Sequence, residues 1–369
     1  MAIRFTSHLK HLPPWFDNKG LEHGVILGTM GRLVRNLKGE FFPGWSTAES
    51  RARVAEKLTP AVRTLAGFKQ AAHAEMTELS KEERKVLLER KQITPCLAAR
   101  QDGSHVFINK KQDTVIMLNE EEHIAIHHFS AGNKLTAIVS ELDKKAQALA
   151  AQVELAHSKE YGFLTSMAAE CGEGLQLYMV LHLPGHAMMN QMDKMERALN
   201  KMHLNLSPFF IEYGEETGNL YVLFSTPIPA GATADVLGHM LNIAENIVEK
   251  ELMLREKIDI EDPLQMADMV GRVYGTLSHG CLMDYQESLH AWSTLQLAMG
   301  QALLSPLTNK EKILKLLSNA LLIGAPAHME YSTEESSPQV HNFLRMSMMS
   351  SISQHLILPH EDLSPQDTY

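Results

Sequence analysis

The stretch from Asp113 to His128, DTVIMLNEEEHIAIHH, constrains the fold of this chain more than any other. Its first half is a short β-branched, apolar run, which predicts a strand. That run leads directly into three consecutive glutamates, Glu120 to Glu122. Adjacent carboxylates repel one another, so three of them at a strand end are costly unless a function uses them. The alternative interpretation is a solvated acidic turn.

Length and charge narrow the class of protein. The chain has 369 residues, of which 44% are hydrophobic and 21% charged, so it can bury a sizeable core and form two domains. Its net charge of −10 argues against nucleic-acid binding, which requires a basic surface. The same charge is unfavourable for a polyanionic ligand, so any such site depends on local arginines.

Cysteine and histidine usage predicts neither a disulfide framework nor a metal site. The three cysteines are widely spaced and form no CxxC, which is typical of a protein in the reducing cytoplasm. The 19 histidines include no HExxH or comparable ligand spacing. No run approaches the roughly 18 apolar residues of a membrane span, so we expect a cytoplasmic protein without membrane contact.

Local patterns near the start of the chain predict a strand and a helix. Val25–Leu27 is a short apolar strand pattern. Ser46 with Glu49 forms a capping-box pattern that opens a helix, which Pro60 would interrupt or restart.

Further along, the patterns predict another capped helix, a hairpin and an amphipathic helix. Ser80 with Glu83 is a second capping box. Val106–Ile108 and Thr114–Leu118 are expected to pair as a hairpin. Apolar residues recur at helical spacing from Leu135 onward, with charges on the other side.

The distribution of these patterns predicts an α+β domain followed by a helical domain. Strand patterns stop after about residue 257, and helical patterns dominate from there to residue 357. The predicted units are therefore residues 13–257, residues 258–357 and a flexible tail over 358–369.

The NEEEH segment at Asn119–His123 resembles the NEEDH signature of the guanidino kinases. Further stretches resemble, in order and spacing, the bacterial protein arginine kinases of that family, including their C-terminal helical domain. These stretches are VILGTMGRLVRNL (Val25–Leu37), LLERKQITP (Leu87–Pro95), YGFLTSMAAECGEGLQLYMVLHLPG (Tyr161–Gly185), YGEETGNLY (Tyr213–Tyr221), EDPLQMADMVGRVYGTL (Glu261–Leu277) and ESLHAWSTLQLAMGQALL (Glu287–Leu304). The resemblance covers about residues 13–330.

The resemblance implies a fold and an activity. The fold is the guanidino-kinase catalytic fold, an antiparallel sheet flanked by helices, followed by an all-α C-terminal domain. The activity is transfer of the ATP γ-phosphoryl group, with Mg²⁺, to the guanidinium of protein arginines. That chemistry depends mostly on positioning and charge stabilisation, with a carboxylate that orients the nucleophilic nitrogen and takes its proton.

The carboxylates of the site are retained. The resemblance assigns the role of base to Glu121, the second glutamate of NEEEH. Glu122 replaces the aspartate of the motif, and Glu215 corresponds to the glutamate of the later YGE loop. These three residues are the predicted catalytic residues.

The phosphate-binding arginines are mostly absent. The resemblance places Thr29, Arg32, Lys91 and Gln176 at the nucleotide site. Of five arginine positions in the family, only Arg32 is kept. The other four positions carry Met30, Ala125, Gln176 and Phe210 or a neighbour of it. Because only the planar guanidinium grips phosphate oxygens with two parallel hydrogen bonds, these losses predict weak ATP binding.

Three functions remain open at this stage. The first is a divergent protein arginine kinase in which relocated cations hold ATP. The second is a pseudokinase, in which the scaffold is kept as a regulatory or adaptor protein. The third is a kinase of small guanidines, which the C-terminal domain argues against. Partners implied by the resemblance are proteins with exposed arginines, a zinc-binding activator, a chaperone-linked protease and a second copy in a homodimer.

Overall fold

The computed structural model describes residues 24–100, 102–209, 218–307, 310–333 and 337–357, together with residues 3, 8, 9 and 12–14. At residues 211, 212, 215, 216, 310 and 311 the backbone alone is described. The predicted tail, 358–369, lies outside the described residues.

An eight-stranded antiparallel sheet forms the centre of the first part of the chain. Its strands are β1 (Ile26–Arg35), β2 (Ala72–Glu75), β3 (His105–Ile108), β4 (Thr114–Leu118), β5 (Ile124–Ala131), β8 (Leu175–His182), β9 (Leu204–Pro208) and β12 (Leu220–Ser225). They are arranged in the order β2-β3-β4-β5-β1-β8-β12-β9. The predicted hairpin of β3 and β4 is confirmed, with Val106 opposite Met117.

Three short strand pairs lie outside this sheet. They are β6 (His157–Ser158) with β7 (Gly162–Phe163), β10 (Ile211–Glu212) with β11 (Glu215–Glu216), and β13 (Ser305–Pro306) with β14 (Leu356–Ile357).

Strand β1 lies in the middle of the sheet, and the strand predicted at Val25–Leu27 was too short. Both faces of the strand are covered, so most of its side chains are buried and do not alternate between buried and exposed positions. The strand can therefore continue to Arg35. Gly31 permits this packing: a Cβ there would lie 2.5 Å from Cδ1 of Leu142 and 2.7 Å from Cγ2 of Ile138. The helix beyond the sheet can therefore approach the strand backbone closely.

Twelve α-helices are described. They are α1 (Ala48–Thr64), α2 (Lys81–Glu89), α3 (Pro95–Ala99), α4 (Leu135–Ala150), α5 (Pro184–Met188), α6 (Met192–Asn200), α7 (Thr233–Glu261), α8 (Pro263–His279), α9 (Tyr285–Gly300), α10 (Lys310–Ile323), α11 (Pro326–Ser332) and α12 (Pro338–Ser353). The capping box of Ser80 and Glu83 at the start of α2 is confirmed, as is the amphipathic helix α4. None of the described helices has the length and apolar character needed to cross a bilayer.

Helix α1 differs from its prediction at two points. Its N-cap is Thr47, whose hydroxyl accepts a hydrogen bond from the Ser50 amide, while the Ser46 hydroxyl donates to the Pro43 carbonyl instead. The helix also runs through Pro60 without a break. Glu56 and Pro60 are both exposed, so water can hydrogen-bond the Glu56 carbonyl that loses its helical partner, while buried Leu58 and Val62 keep the helix on the sheet.

The sheet has two differently covered faces. One packs against α1, α4 and α7 through a core that includes Leu33, Leu142 and Ile247. The other face carries Val106 and Met117 in a core that continues into the C-terminal helices, for example at Trp292. The predicted antiparallel sheet flanked by helices, with a helical C-terminal part, is therefore confirmed.

The predicted boundary between residues 257 and 258 falls inside α7, which is continuous to Glu261. The two parts also meet where the Glu89 carboxylate of α2 accepts hydrogen bonds from the amides of Ala327 and His328 at the start of α11. The exact division into domains stays a prediction.

Candidate active site

The turn between β4 and β5 fixes the three glutamates. Asn119 has a φ of +54°, a left-handed conformation that asparagine tolerates better than most residues. Its side-chain amide donates to the carbonyls of Arg51 (2.8 Å) and Gly103 (2.6 Å), and its backbone amide donates to the His123 carbonyl. The turn is therefore tight and anchored, and it directs the three consecutive carboxylates into different surroundings.

Glu120 is buried and contacts polar side chains. Its Oε1 accepts a hydrogen bond of 2.5 Å from the Thr94 hydroxyl, and its Oε2 lies 3.4 Å from Nη2 of Arg32. Burial by itself would raise the pKa of Glu120, but Arg32 and the Thr94 hydrogen bond outweigh it, so the pKa is lowered. Glu120 is thus held as a carboxylate beside the guanidinium.

Glu121, the predicted base, is the most accessible of the three. Its side chain is 53% exposed, and its Oε2 lies 3.5 Å from Nη2 of Arg32. Partial burial and the neighbouring Glu120 raise its pKa. An accessible carboxylate of raised pKa is suited to accept a proton, so the position of Glu121 is compatible with the role assigned from the sequence.

Glu122 holds a loop in place. It is fully buried, and it accepts hydrogen bonds from the side-chain amide of Asn36 (2.6 Å) and from the backbone amide and hydroxyl of Ser166 (2.9 and 2.7 Å). Burial raises its pKa even though these donors favour the carboxylate. Since both oxygens are engaged away from solvent, the geometry gives Glu122 a positioning role rather than a place in proton transfer.

The backbone of the third predicted catalytic residue, Glu215, lies in β11, and its side chain lies outside the described residues. Two acidic residues in the segment that leads into β8 differ in their use. Glu173 accepts a hydrogen bond of 2.5 Å from the Gly231 amide. Glu170 adds negative charge near Arg32 and Glu121, whose pKa values it helps to raise.

The strand register brings together four of the five positions at which the resemblance predicts arginines, whereas the fifth, at Phe210, lies outside the described residues. Arg32 lies opposite Gln176 on β8 and opposite His127 on β5, and directly opposed residues share a face of the sheet. Met30 and Ala125 belong to the same face, each two residues from one of these positions. Arg32 is the one guanidinium that the described strands of the sheet present on this face.

Arg32 is itself engaged and mostly buried, with its side chain 11% exposed. Burial would lower its pKa, but the carboxylates around it, led by Glu120, raise it. Gln176, the second position predicted to bind the cofactor, accepts a hydrogen bond of 3.0 Å from the Tyr178 hydroxyl. Arg32 and Gln176 therefore both already contact other side chains of the protein.

A cavity of about 300 Å³ lies on this same face, next to the Arg32 row. Thr29 and Lys91, the other two positions predicted to bind the cofactor, both belong to its wall. The Thr29 hydroxyl already donates to the Gly132 carbonyl and accepts from the Lys134 amide. The Lys91 ammonium lies 4.7 Å from the centre of the Phe209 ring, and burial lowers its pKa.

Two residues of the site were missed by the sequence interpretation. Cys96 directly follows the ITP segment, and its thiol and carboxylate oxygens of Glu120 and Glu121 all lie within 4.8 Å of one another. Burial and the nearby Glu120 raise the pKa of this thiol. His127 is buried beside Arg32, and neither ring nitrogen has a hydrogen-bond partner. The position of Cys96 after ITP was a usable signal, whereas the surroundings of His127 depend on the sheet register.

The residues present on the described face do not fit the triphosphate of ATP. A triphosphate needs several guanidinium or ammonium donors aimed at its oxygens. Here Arg32, the one guanidinium on the described strands of this face, is paired with two carboxylates, and the row beside it consists of Met30, Phe129 and Tyr178. Arg100 acts on Glu121 and is hydrogen-bonded to the Cys96 thiol. Mg²⁺ would normally share such a site with the phosphates, so its binding is not supported either.

Comparison with known proteins identifies the class. A sequence model described as "ATP:guanido phosphotransferase, C-terminal catalytic domain" matches residues 53–254, more than half of the chain. The chain therefore belongs to the ATP:guanido phosphotransferase family.

Within this family the chain is similar to protein-arginine kinases over nearly its whole length. It is 25% identical over 344 residues to the protein-arginine kinase of Halothermothrix orenii, covering 93% of this chain and 97% of that protein. It is also 25% identical over 354 residues to the protein-arginine kinase of Shouchella clausii, covering 95% and 96% respectively.

Solved structures support the fold. The duplicated taurocyamine kinase of Schistosoma mansoni with bound transition-state-analogue components aligns with a TM-score of 0.58 and 22% identity. That alignment covers 71% of this chain but only 38% of the taurocyamine kinase chain. A lombricine kinase aligns with a TM-score of 0.55 and 17% identity, covering 68% of this chain and 74% of that one. At these identities the likeness concerns the fold alone.

Proposed function

We propose that this chain is a pseudokinase of the protein-arginine-kinase type: it keeps the scaffold and the carboxylates but does not carry out efficient ATP-dependent phosphorylation of arginine. The observation that supports this most is the pairing of Arg32, the one guanidinium that the described strands present on this face, with Glu120 and Glu121. Arg100, which also acts on Glu121, is hydrogen-bonded to the Cys96 thiol. A guanidinium held by two carboxylates must lose at least part of that pairing before it can grip phosphate.

The loss of rate should be large. Removing one preorganised donor at a site of developing charge typically costs about 10²–10³ in rate. Four of the five arginine positions are changed in this chain, and such losses do not add in a simple way. Together they support a regulatory or adaptor role, in which the protein acts through contacts with other proteins.

A slow protein-arginine kinase is the second candidate. It is favoured by Lys91, whose ammonium lies in the wall of the cavity next to the Arg32 row, and by the accessible Glu121. In that case ATP and Mg²⁺ would be the cofactors and arginines of other proteins the acceptors. Glu121→Gln would then abolish the residual transfer.

The deciding experiment is calorimetric titration of the full chain with MgATP, with mass spectrometry for phosphoarginine on the same sample and an arginine-rich protein as acceptor. Circular dichroism first establishes that the protein is folded. We expect no binding in the micromolar range and no phosphoarginine. Micromolar binding together with phosphoarginine that disappears in Glu121→Gln would overturn the pseudokinase proposal and support the kinase.

A further inference from the structure

Two histidines on neighbouring strands meet at one edge of the sheet. Strand β2 is the outermost strand at that edge, and His73 on β2 lies opposite Phe107 on β3. Because residues two apart on a strand share a face, His105 projects on the same side as Phe107, diagonally across from His73. Phe107 packs in the core that contains Leu33, so this is the face of the sheet that does not carry Arg32.

The two imidazole rings are in direct contact. Nε2 of His73 and Nδ1 of His105 are 3.1 Å apart and share one proton in a hydrogen bond. The ring planes are inclined by 21° and their centres are 5.2 Å apart. Zinc binds imidazole nitrogen at about 2.0–2.1 Å in tetrahedral geometry, which puts two ligand nitrogens about 3.3 Å apart. The separation of these two nitrogens is therefore close to that of two ligands of one metal ion.

The hydrogen bond between the rings does not compete with a metal ion in the way that a separate partner would. A cation takes the place of the shared proton, which moves to the outer nitrogen of the ring that donated it. Both rings stay neutral in this exchange, and each turns from the other ring towards the cation. Each histidine thus replaces its hydrogen bond with a metal bond.

The protonation state of the pair also suits a metal ion. Burial lowers the pKa of both rings, and the neighbouring His105 and Arg63 lower the pKa of His73 further, to about 4. Near neutral pH His73 is therefore uncharged, which is the form of imidazole that binds metal.

Two carboxylates make the surroundings favourable for a cation. Glu75 and Glu78 both act on His105, and Glu78 also acts on His73. Each carboxylate already has a partner: Glu75 accepts a hydrogen bond of 2.8 Å from the Gly103 amide, and Glu78 accepts one of 3.0 Å from the Glu75 amide. They therefore contribute negative charge rather than further ligands.

The remaining neighbours hold the pair in place and leave it open to water. The His73 ring stacks on Phe107 with 4.1 Å between ring centres. The opposing charge is Arg63, whose guanidinium lies 5.0 Å from the centre of the Phe107 ring and donates to the Ala71 carbonyl. Both histidines are only partly buried, so water can reach the other coordination positions of a bound ion.

We propose that His73 and His105 bind one divalent transition-metal cation of the zinc type, with water in the remaining positions. The bound ion would tie the edge strand β2 to β3. Ligand spacing along the chain does not reveal this pair, because the two histidines are 32 positions apart and only strand pairing brings them together. The proposal goes beyond the proposed function and does not depend on it, since the pair lies on the other face of the sheet.

The test is calorimetric titration of the reduced full chain with ZnCl₂ at neutral pH. Loss of a residue that merely supports a metal ligand costs about 10–100-fold in affinity, so His73→Gln and His105→Gln should each weaken zinc binding at least ten-fold. His290→Gln, which changes an exposed histidine, should leave the affinity unchanged. MgCl₂ should not compete, because Mg²⁺ prefers oxygen ligands.

Two further measurements guard against misfolded variants. Melting curves establish that each variant is folded, and zinc should raise the Tm of the wild type and of His290→Gln but not of the two ligand variants. In the wild type alone, zinc should protect His73 and His105, but not His290, from diethyl pyrocarbonate, as mapped by mass spectrometry.

Three results would overturn the proposal. They are the absence of zinc binding to the folded wild type, zinc affinity that is unchanged in folded His73→Gln and His105→Gln, and modification of both rings at an undiminished rate in the presence of zinc. The second result would show that the ion is held by other residues.

Discussion

Nη2 of Arg32 lies 3.4 Å from Oε2 of Glu120 and 3.5 Å from Oε2 of Glu121. Glu121, the base predicted from the sequence, therefore pairs with Arg32, the one arginine of the predicted phosphate site that this chain keeps. This pairing stabilises a face that would otherwise carry a nearly buried cation, and it reduces the capacity of that face to hold phosphate.

The two glutamates should contribute very differently to stability. Glu120→Gln leaves the guanidinium of Arg32 buried without its main counter-charge and should lower the free energy of unfolding by about 3 kcal/mol. Glu121→Gln removes an exposed partner and should cost less than about 1 kcal/mol. Urea denaturation of both variants measures this, and equal losses would contradict the assignment of Glu120 as the structural partner.

Glu122 should control the loop that contains Ser166. Glu122→Ala leaves the Ser166 amide and the Asn36 side chain without their acceptor, which should cost about 2–4 kcal/mol and expose the loop to protease. Limited proteolysis and urea denaturation report the two effects. Glu160→Ala, an exposed glutamate shortly before this loop, is the control, and a similar response from it would refute the prediction.

Part of the phosphate site should be restorable. Met30→Arg with Gln176→Arg puts two guanidinium groups on the Arg32 face at half-buried positions, and MgATP affinity should rise at least ten-fold. Ala125 is unsuitable because it is fully buried, and an arginine there would bury a charge.

Calorimetry with MgATP checks this prediction. Met253→Arg, which adds a cation at an exposed position of α7, is the control for a general charge effect. An unchanged affinity in the folded double variant would show that this face is not the phosphate site.

His127 should make the protein less stable in acid. Burial, together with the nearby Arg32, lowers its pKa to about 3, against 6.5 when unfolded. Above pH 6.5 neither state binds the proton. As the pH falls from 6.5 towards 3, only the unfolded state binds the proton, so the free energy of unfolding decreases across that window. At pH 5 the loss from this residue is about 2 kcal/mol.

The change His127→Phe should remove this loss, and it also removes two buried nitrogens without partners. The measurement is the difference in unfolding free energy between pH 7.5 and pH 5 for the wild type, for His127→Phe and for the control His290→Gln, which changes an exposed histidine. The same difference in all three proteins would rule out His127 as the cause.

The sequence by itself determined the family, the β3–β4 hairpin, the capped helix α2 and the candidate carboxylates. These depend on neighbours in the chain: a capping box spans four residues, and NEEEH is one turn. Predictions failed where distant packing decided the outcome. Helix α1 runs through Pro60 because its buried residues hold it on the sheet, and β1 is long because both of its faces are covered.

Only the tertiary structure decided what each site residue does. Three identical, consecutive glutamates became a buried partner of Arg32, an accessible carboxylate and a loop anchor, because each meets residues remote in sequence. Arg32 lies 88 positions from Glu120, and Ser166 lies 44 positions from Glu122. The cavity likewise exists only because the register of β1, β5, β8 and β12 places its floor on one face. Local sequence specifies which groups are present, whereas strand pairing fixes which of them meet.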